Sequence, residues 1–270
     1  MQVREIQCKS ALTNCGIEGV DYTVNPYIGC QHACTYCYAD FMKRFTGHSG
    51  ENWGTFIDVR VNIAEVLTKE LEKKKPGSVW LSSVTDAYQP LERKYQLSGK
   101  VLDAFASSSK GRKFALEVLT KNSLVERDFT VLKELNAQIG MTVNTLEDKY
   151  SKVIEPFASH ATERVKTLKK AKNEGLKTYA FFGPVMPGIT DLEGLFEELK
   201  DLDFVFVEML NTKPTVISRM IPLMKKKFPE EFKQWGLLLK DSNAYFENLK
   251  KEVKSLEKST GLKVEEVVKH

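Results

Sequence analysis

The most informative part of this sequence runs Asn25-Pro-Tyr-Ile-Gly-Cys30-Gln-His-Ala-Cys34-Thr-Tyr-Cys37-Tyr38. Three of the five cysteines in the 270 residues fall within eight positions here. A disulfide pairs two sulfurs, so three neighbouring thiols leave one over, and the chain lacks the cysteine density of a small secreted scaffold. The spacing therefore predicts a metal site whose ligands are Cys30, Cys34 and Cys37.

The number of thiols limits which metal this site holds. Structural zinc needs a fourth ligand, usually from a second Cys or His pair further along, and only His32 and His48 lie near enough in the sequence to be considered. A four-iron cluster held at every iron would need four thiolates. Three thiolates leave one iron open, and an open coordination position is typical of a metal site that performs chemistry. The pattern favours an iron–sulfur site, with zinc as the alternative.

Cys-x3-Cys-x2-Cys with an aromatic residue before the last cysteine strongly resembles the signature of radical S-adenosylmethionine (SAM) enzymes. In that superfamily the open iron of a 4Fe-4S cluster binds the amino and carboxylate groups of SAM. The reduced cluster then cleaves SAM, and the resulting 5′-deoxyadenosyl radical abstracts a hydrogen atom from a substrate. The resemblance implies a 4Fe-4S cluster and SAM as cofactors and a reducing electron donor such as ferredoxin or flavodoxin.

Composition sets broad limits on the compartment and the partners. The chain is 42% hydrophobic and carries a formal net charge of +4, which is too mild to identify a dedicated nucleic-acid binder. It has no apolar run near the length of a membrane span, and its first residues lack the apolar core of a signal peptide. We expect a cytoplasmic protein without a membrane partner, and the odd number of cysteines agrees with a reducing compartment.

Short apolar segments alternate with amphipathic ones along most of the chain. Residues 1 to 23 carry few periodic apolar positions and are expected to form an irregular lead-in. Six strands are predicted: 22–28, 79–84, 114–119, 139–143, 176–182 and 204–210. Helices are predicted at 61–74, 97–107, 127–135, 161–173, 192–200, 215–224 and 245–258.

This alternation predicts right-handed βαβ units and a parallel sheet covered by helices. Periodicity alone cannot distinguish a barrel from a doubly wound sheet. The resemblance implies the first, a partial (β/α)6 TIM-like barrel of the α/β class, over residues 24–214. The helices of residues 215–270 are expected to form a C-terminal extension packed on that barrel.

Polar residues follow the predicted strands at the ends where chemistry gathers in parallel barrels. The second strand leads into Thr85, Asp86 and Tyr88, the third into Lys121, and the fourth into Thr142-Val-Asn144. These segments narrow the resemblance to the branch that includes spore photoproduct lyase. The stretches that carry it are 16–30, 37–39, Thr85-Asp86 through Gln89-Pro90 to Glu92, Thr120-Lys121 with Glu126-Arg127-Asp128, and Glu155-Pro156 with Arg164.

The resemblance implies a role for each strand-end residue. Tyr36 and Tyr38 would lie beside the adenosine and the cluster. Thr85 or Asp86 would meet the methionyl ammonium, Lys121 the carboxylate, and Thr142 or Asn144 the ribose, which matches the acceptor and donor chemistry of these groups.

Each of these residues also has a plain structural interpretation. The two tyrosines could be packing aromatics, Lys121 a solvated lysine, Asp86 a turn or cap residue, and Thr142 and Asn144 loop formers. Glu155 and Arg164 could form an ion pair that ties the fourth βα unit together.

One position departs from the lyase pattern. Lyases carry a cysteine two residues before the position of Thr85, and it returns a hydrogen atom to the substrate; here that residue is Ser83. A hydroxyl O–H bond is much stronger than a thiol S–H bond, so Ser83 should not act as the donor. The chain therefore resembles a relative of the lyases rather than a lyase. Cys8 or Cys15 could supply the hydrogen atom, although both could also be loose surface thiols.

We therefore expect a radical SAM enzyme acting on an unidentified substrate, which could be a nucleic acid, a nucleoside or a peptide. The catalytic candidates are Cys8, Cys15 and Tyr88. The alternative is a non-catalytic iron–sulfur protein that binds nucleic acid or carries electrons. A zinc-binding interaction module is a third hypothesis.

Overall fold

The computed structural model describes residues 1 to 269, so the final residue of the expected C-terminal extension, His270, lies outside the described residues. The chain forms two compact units. The first comprises residues 1–33, 39–140 and 171–177, and the second comprises residues 34–38, 141–170 and 178–270. The boundary falls inside the cysteine stretch, between Ala33 and Cys34.

The first unit contains two groups of paired strands. Its strands are β1 (Gln2–Ile6), β2 (Leu12–Asn14), β3 (Tyr22–Val24), β4 (Tyr27–Ile28), β5 (Phe56–Arg60), β6 (Ser78–Leu81) and β7 (Ala115–Thr120). β3, β6 and β7 run parallel, with Val24 opposite Leu81 and Leu81 opposite Val118, and β2 pairs antiparallel with β3. In the second group, β5 lies between β1 and β4. The parallel set brings the ends of β3, β6 and β7 to the same edge.

The second unit is built on parallel strands as well. β8 (Gln138–Thr142) leads from the first unit into the second, followed by β9 (Lys177–Val185), β10 (Phe204–Met209) and β11 (Val264–Val268). β10 pairs in parallel with both β9 and β11. Val205 and Val207 of β10 are fully buried, as expected for a strand with neighbours on both sides.

Amphipathic helices supply the rest of both cores. They are α1 (Ile63–Leu71), α2 (Glu92–Tyr95), α3 (Leu97–Ser107), α4 (Phe129–Glu134), α5 (Asp148–Ile154), α6 (Ala161–Asn173), α7 (Leu192–Glu198), α8 (Pro214–Lys227), α9 (Pro229–Phe232), α10 (Gly236–Lys240) and α11 (Ser242–Thr260). In the first unit α1 packs on α3 and buries Ile63, Leu67 and Leu71, which are spaced by one helical turn. In the second, α11 packs on α7 and β10 and buries Leu249 and Val253.

All six strands expected from the sequence have counterparts, although the first was wrong in its extent. The segment 22–28 is split into β3, which pairs with β6, and β4, which pairs with β5. Pro26 lies between them, and since proline has no N–H to donate, it interrupts the ladder where the chain changes partners. The strand ends that carry the polar residues are as expected.

The expectation that residues 1 to 23 are irregular was also wrong, because β1 and β2 lie there. β1 is largely exposed and shows no apolar alternation, and it forms by pairing in parallel with β5, more than fifty residues away. β5 was itself missed. The C-terminal stretch expected to be helical also ends in β11. Within residues 1 to 269, no helix has both the length and the apolar character needed to span a membrane.

Replacement of Leu67 by alanine tests the packing of α1 on α3. Leu67 has no exposed surface, so Leu67→Ala should lower the free energy of unfolding by about 2–5 kcal/mol, as cavity-forming substitutions do. Lys69→Ala, on the exposed face of the same helix, should change it by less than about 0.5 kcal/mol. Urea unfolding followed by circular dichroism measures both, and equal effects would contradict this packing.

Candidate cofactor site

A glycine sets the start of the cysteine loop in the first unit. Gly29 has a φ of +84°, and a Cβ atom there would lie 2.4 Å from the carbonyl oxygen of Phe56. Its own carbonyl accepts a hydrogen bond from the Thr85 hydroxyl at 2.5 Å. Thr85 follows β6, so the strand end is tied directly to the residue before Cys30. Cys30 is buried.

Two glutamines extend this connection. Gln89 accepts from the backbone N–H of Gln31 at 2.8 Å and donates to the Thr85 hydroxyl at 3.2 Å. Gln31 accepts in turn from the N–H of Leu91 at 3.0 Å. Gln89 belongs to a stretch that carries the family resemblance, but neither glutamine was recognised in the sequence as a residue that positions the loop. Together they hold the cysteine loop against the segment that follows β6.

Asp86 is the most highly connected carboxylate at these strand ends. It accepts from the Thr120 hydroxyl at 2.7 Å, from the N–H of Lys121 at 2.9 Å and from the N–H of Tyr88 at 2.8 Å. Nδ1 of His32 lies 3.3 Å from Oδ2 of Asp86, the oxygen that also accepts from Lys121. Burial alone would raise the pKa of Asp86, but attraction to His32 and these hydrogen bonds lower it below the usual range. Asp86 therefore joins the cysteine loop to the ends of β6 and β7.

Two buried polar groups beside this network have no hydrogen-bond partner among residues 1 to 269. They are Nε2 of His32, the ring nitrogen that faces away from Asp86, and the hydroxyl of Ser82. Ser82 also has a φ of +75°, a strained value for a residue with a side chain. Buried polar groups are normally paired, so these atoms fit a polar cofactor bound at the cysteine loop and the strand ends.

The second unit contains Cys34, Tyr36 and Cys37, held by a buried ion pair. The Tyr36 hydroxyl donates to Glu155, and Arg164 pairs with the other Glu155 oxygen at 2.5 Å. Both charged side chains are almost fully buried, which confirms the ion pair expected from the sequence. Burial and the Glu155 carboxylate raise the pKa of Tyr36 well above its ordinary value, so the hydroxyl stays protonated as a donor.

The ribose candidates lie next to the same pair. Asn144 donates to Glu155 at 3.3 Å and to the Tyr36 hydroxyl at 3.5 Å. The carbonyl of Thr142 accepts from Arg164 at 3.1 Å. Arg219 of α8 donates to the carbonyl of Cys37 at 2.6 Å. Arg219 was missed because it lies beyond the part of the chain that carries the family resemblance.

The three cysteines are divided between the two units. Cys30 belongs to the first unit, and Cys34 and Cys37 to the second. Within residues 1 to 269, no three Cys, His, Asp or Glu side chains are gathered as a metal-binding group. The donor set has the right chemistry, three thiols with buried polar groups beside them, and the assignment of these cysteines as ligands stays a prediction.

The other histidine considered as a ligand is fully engaged elsewhere. The ring of His48 contacts Glu51 at 2.6 Å and Asp58 at 3.0 Å and stacks on Phe56, with 3.7 Å between ring centroids. Arg4 completes this group at 2.6 Å from Nε2 of His48. These contacts give His48 a structural task in the first unit.

The catalytic candidates lie in different surroundings. Tyr88 is fully buried, and its hydroxyl donates to Asp128 at 3.0 Å, which is a poor position for reaching a substrate. Cys8 is half-buried, and Asn62 holds its backbone by two hydrogen bonds of 2.8 and 3.0 Å. Cys15 is also half-buried, and its N–H donates to the carbonyl of Asp21.

Two further sequence candidates lie at the surface or at a strand end. Tyr38 is 46% exposed, which leaves its ring accessible. Ser83 follows β6, where its N–H donates to the Asn25 side chain and its hydroxyl accepts from Thr23 at 3.2 Å.

This chain matches one protein-family model and is similar to several known proteins. The family model described as the Radical SAM superfamily matches residues 24–200. The uncharacterized protein MJ0683 of Methanocaldococcus jannaschii is 32% identical over 234 residues, 86% of each chain. The Radical SAM Nalpha-GlyT isomerase of Pseudomonas phage M6 is 25% identical over 228 residues, 81% of this chain and 46% of that protein.

Among solved structures, spore photoproduct lyase complexed with dinucleoside spore photoproduct has a TM-score of 0.69 at 15% identity. The match covers 98% of this chain and 82% of the lyase. At this identity the likeness shows the fold alone. It confirms the expected α/β class with parallel strands, similar to the partial TIM-like barrel of the lyase.

Replacement of Asp86 by asparagine tests the network at the strand ends. Because the folded-state pKa lies below the unfolded value of about 3.9, the charged carboxylate stabilises the fold above about pH 4, and this contribution is lost as the pH falls below that value. Asp86→Asn should therefore cost roughly 3 kcal/mol or more at neutral pH and reduce the loss of stability on acidification.

Urea unfolding between about pH 3 and 7 measures this change. The matched control is Asp103→Asn, an exposed aspartate on α3 of the same unit, which should unfold like the parent at each pH. An Asp86→Asn curve that runs parallel to the parent curve across this range would contradict the assigned role.

Proposed function

Because this chain belongs to the radical SAM superfamily, we propose that it is an enzyme that cleaves SAM reductively and uses the resulting radical to abstract hydrogen from a substrate. The observation that carries the proposal is the match of the family model over residues 24–200, which include the three-cysteine motif and the strand ends. The buried Nε2 of His32 and the buried hydroxyl of Ser82, which have no hydrogen-bond partner among residues 1 to 269, support it.

Cys30, Cys34 and Cys37 would hold a 4Fe-4S cluster through their thiolates. When bound, the cluster would supply the electron for the reductive cleavage of SAM. A low-potential donor such as ferredoxin or flavodoxin would deliver that electron. The chain positions these groups: Gly29, Gln31 and His32 fix the loop in the first unit, and Arg219 fixes the backbone at Cys37 in the second.

The geometry refines the roles at the end of β6. The Asp86 carboxylate already accepts three hydrogen bonds and faces His32, so we assign it to positioning the cysteine loop. The Thr85 hydroxyl donates to Gly29 and accepts from Gln89, which leaves one lone pair for the methionyl ammonium. Lys121, whose backbone Asp86 holds, would pair with the methionyl carboxylate.

In the second unit, the side chains beside Glu155 would meet the adenosine. Asn144 is held there by its contacts with Glu155 and Tyr36, and it offers amide chemistry suited to ribose hydroxyls. Thr142 contributes a short hydroxyl at the end of β8. The accessible ring of Tyr38 and the partly buried ring of Tyr36 would supply apolar contact.

A thiol rather than Ser83 would return the hydrogen atom. Cys8 is the stronger of the two candidates because Asn62 fixes both its backbone N–H and its backbone carbonyl. The substrate would be derived from a nucleic acid, as is the dinucleoside spore photoproduct bound by the structurally similar lyase.

Replacement of Cys34 by alanine tests the cluster assignment. After anaerobic reconstitution, Cys34→Ala should lose the iron–sulfur absorbance and form no 5′-deoxyadenosine, whereas the parent yields it from SAM under reduction. Thr35→Ala is the matched control, since its structural contact is a backbone hydrogen bond to Ile154. A brown, reconstituted parent protein that produces no 5′-deoxyadenosine would favour a non-catalytic iron–sulfur protein, and a colourless one a zinc module.

Replacement of Lys121 by alanine tests the SAM site separately from the cluster. Loss of one charge-assisted hydrogen bond should weaken SAM binding by about tenfold or more while the iron content is retained. Lys113→Ala removes the same charge from an exposed position just before β7 and should leave affinity unchanged. Equilibrium binding of labelled SAM measures both, and parent-like affinity in Lys121→Ala would refute the assignment.

A further inference from the structure

A cavity of about 170 Å³ lies in the first unit beside the start of the cysteine loop. Residues 27–29, which directly precede Cys30, form part of its wall. Met42 and Thr46 of the segment that follows the motif, and Arg60 at the end of β5, form other parts. No role assigned so far uses this cavity.

Arg60 is the charged group of the cavity. It is partly buried, and burial lowers its pKa. Its guanidinium donates to the carbonyl of Asn25 at 3.2 Å. Within residues 1 to 269, no carboxylate lies within ion-pair distance of Arg60. The carboxylate of Asp58, whose charge raises the pKa of Arg60, is already paired with Arg4 at 2.7 Å and with His48 at 3.0 Å. Most of the five N–H donors of Arg60 are therefore available to an anion.

An aromatic surface lies on the short 3-10 helix Tyr38–Phe45, which also contributes Met42 to the cavity wall. Phe45 is 75% exposed and Phe41 is 41% exposed, and their rings meet edge to face with 6.3 Å between centroids. Each phenylalanine is followed directly in the chain by a residue that lines the cavity, Met42 after Phe41 and Thr46 after Phe45. Arg44, next to Phe45, is exposed. Exposed phenylalanines with cations beside them match the surfaces on which bases of single strands stack.

We propose that this cavity and the aromatic surface form a binding site for a single strand of nucleic acid, with a phosphodiester on Arg60 and a base on Phe45. This inference rests on the proposed function and defines its substrate class as a strand rather than a free nucleoside. The presence of both Arg60 and the exposed aromatic rings favours a phosphodiester over a peptide carboxylate as the bound anion. A carboxylate of a peptide would satisfy Arg60 but would give no reason for two exposed aromatic rings and an exposed arginine next to Phe45 in the chain.

Cys8, the proposed hydrogen-atom donor, would connect this binding site to the reaction. Ile6 of β1 pairs with Arg60 of β5, and Asn62, two residues after Arg60, holds the backbone of Cys8, two residues after Ile6. Burial raises the pKa of the Cys8 thiol. A strand whose phosphate lies on Arg60 is thereby brought next to the cysteine assigned as hydrogen donor. The neutral thiol form, which carries the hydrogen atom, is the form that burial favours.

Fluorescence anisotropy with a labelled short oligothymidylate tests the site on the full chain, without SAM or reductant. Arg60→Gln should weaken binding by about tenfold or more and lower the salt dependence by about one phosphate contact. Phe45→Ala should weaken it by about fivefold or more. The matched controls are Arg93→Gln, an exposed arginine of the same unit, and Phe157→Ala, an exposed phenylalanine of the second unit, each with an effect below about twofold.

Competitors identify the group that Arg60 recognises. A thymidine dinucleotide should displace the labelled strand, and its uncharged methylphosphonate analogue should compete at least about tenfold less well. Equal competition by the neutral analogue would overturn the phosphate assignment. Displacement by poly-aspartate at the same concentration, with Phe45→Ala binding like the parent, would assign the surface to an acidic peptide and overturn the proposal.

Two further measurements separate the remaining outcomes. Arg60→Lys should retain more affinity than Arg60→Gln. If Arg60→Gln fails to fold, the affinity of Phe45→Ala and the salt dependence of strand binding still decide the question. Sedimentation that shows a dimer of the parent but not of Phe45→Ala, with strand binding unaffected, would overturn the proposal in favour of a second copy. Arg60-dependent strand binding without 5′-deoxyadenosine formation would refute the proposed function alone. Formation of 5′-deoxyadenosine without Arg60-dependent strand binding would refute this inference alone.

Discussion

The buried carboxylate of Asp86 is the interaction on which the cofactor end of the first unit depends. It links three segments that are far apart in the chain: the cysteine loop through His32, the end of β6 through Tyr88, and the end of β7 through Thr120 and Lys121. An ion at such a position is favourable only when every lone pair is used, because desolvation of the charge otherwise exceeds the attraction. Here the hydrogen bonds and His32 outweigh burial, and the lowered pKa of Asp86 records that balance.

The second unit also contains a buried charge whose hydrogen-bonding groups are used, but here the central group is a cation, Arg164, rather than a carboxylate. Arg164 is fully buried and donates to Glu155 and to the carbonyls of Ser159 and Thr142. Glu155 in turn receives the Tyr36 hydroxyl and the Asn144 amide. Removal of one partner from a buried pair of this kind costs about 3–5 kcal/mol, because the other charge remains buried without compensation. The residues beside Cys34 and Cys37 are thus held by a rigid polar network and not by apolar packing alone.

Much of the fold follows from local signals in the sequence. α3 and α6 begin and end where the apolar periodicity predicted, and β6 to β10 lie within a few residues of their expected positions, because each buries a regular stripe or face. β1 and β5 escaped prediction since their pairing joins residues more than fifty positions apart and β1 is exposed. At the site, spacing identified the cysteines and the polar strand ends. His32, Gln89 and Arg219 were missed as positioning residues because their tasks depend on contacts across the fold that no local pattern encodes.

The central claim is that three cysteines leave one iron of a cluster open to SAM. Electron paramagnetic resonance of the anaerobically reconstituted, dithionite-reduced protein tests this most directly. We predict the signal of a reduced 4Fe-4S cluster whose g values shift when SAM is added, because SAM binds to the iron itself. A signal that SAM leaves unchanged, or a fully metallated protein without any such signal, would contradict the account.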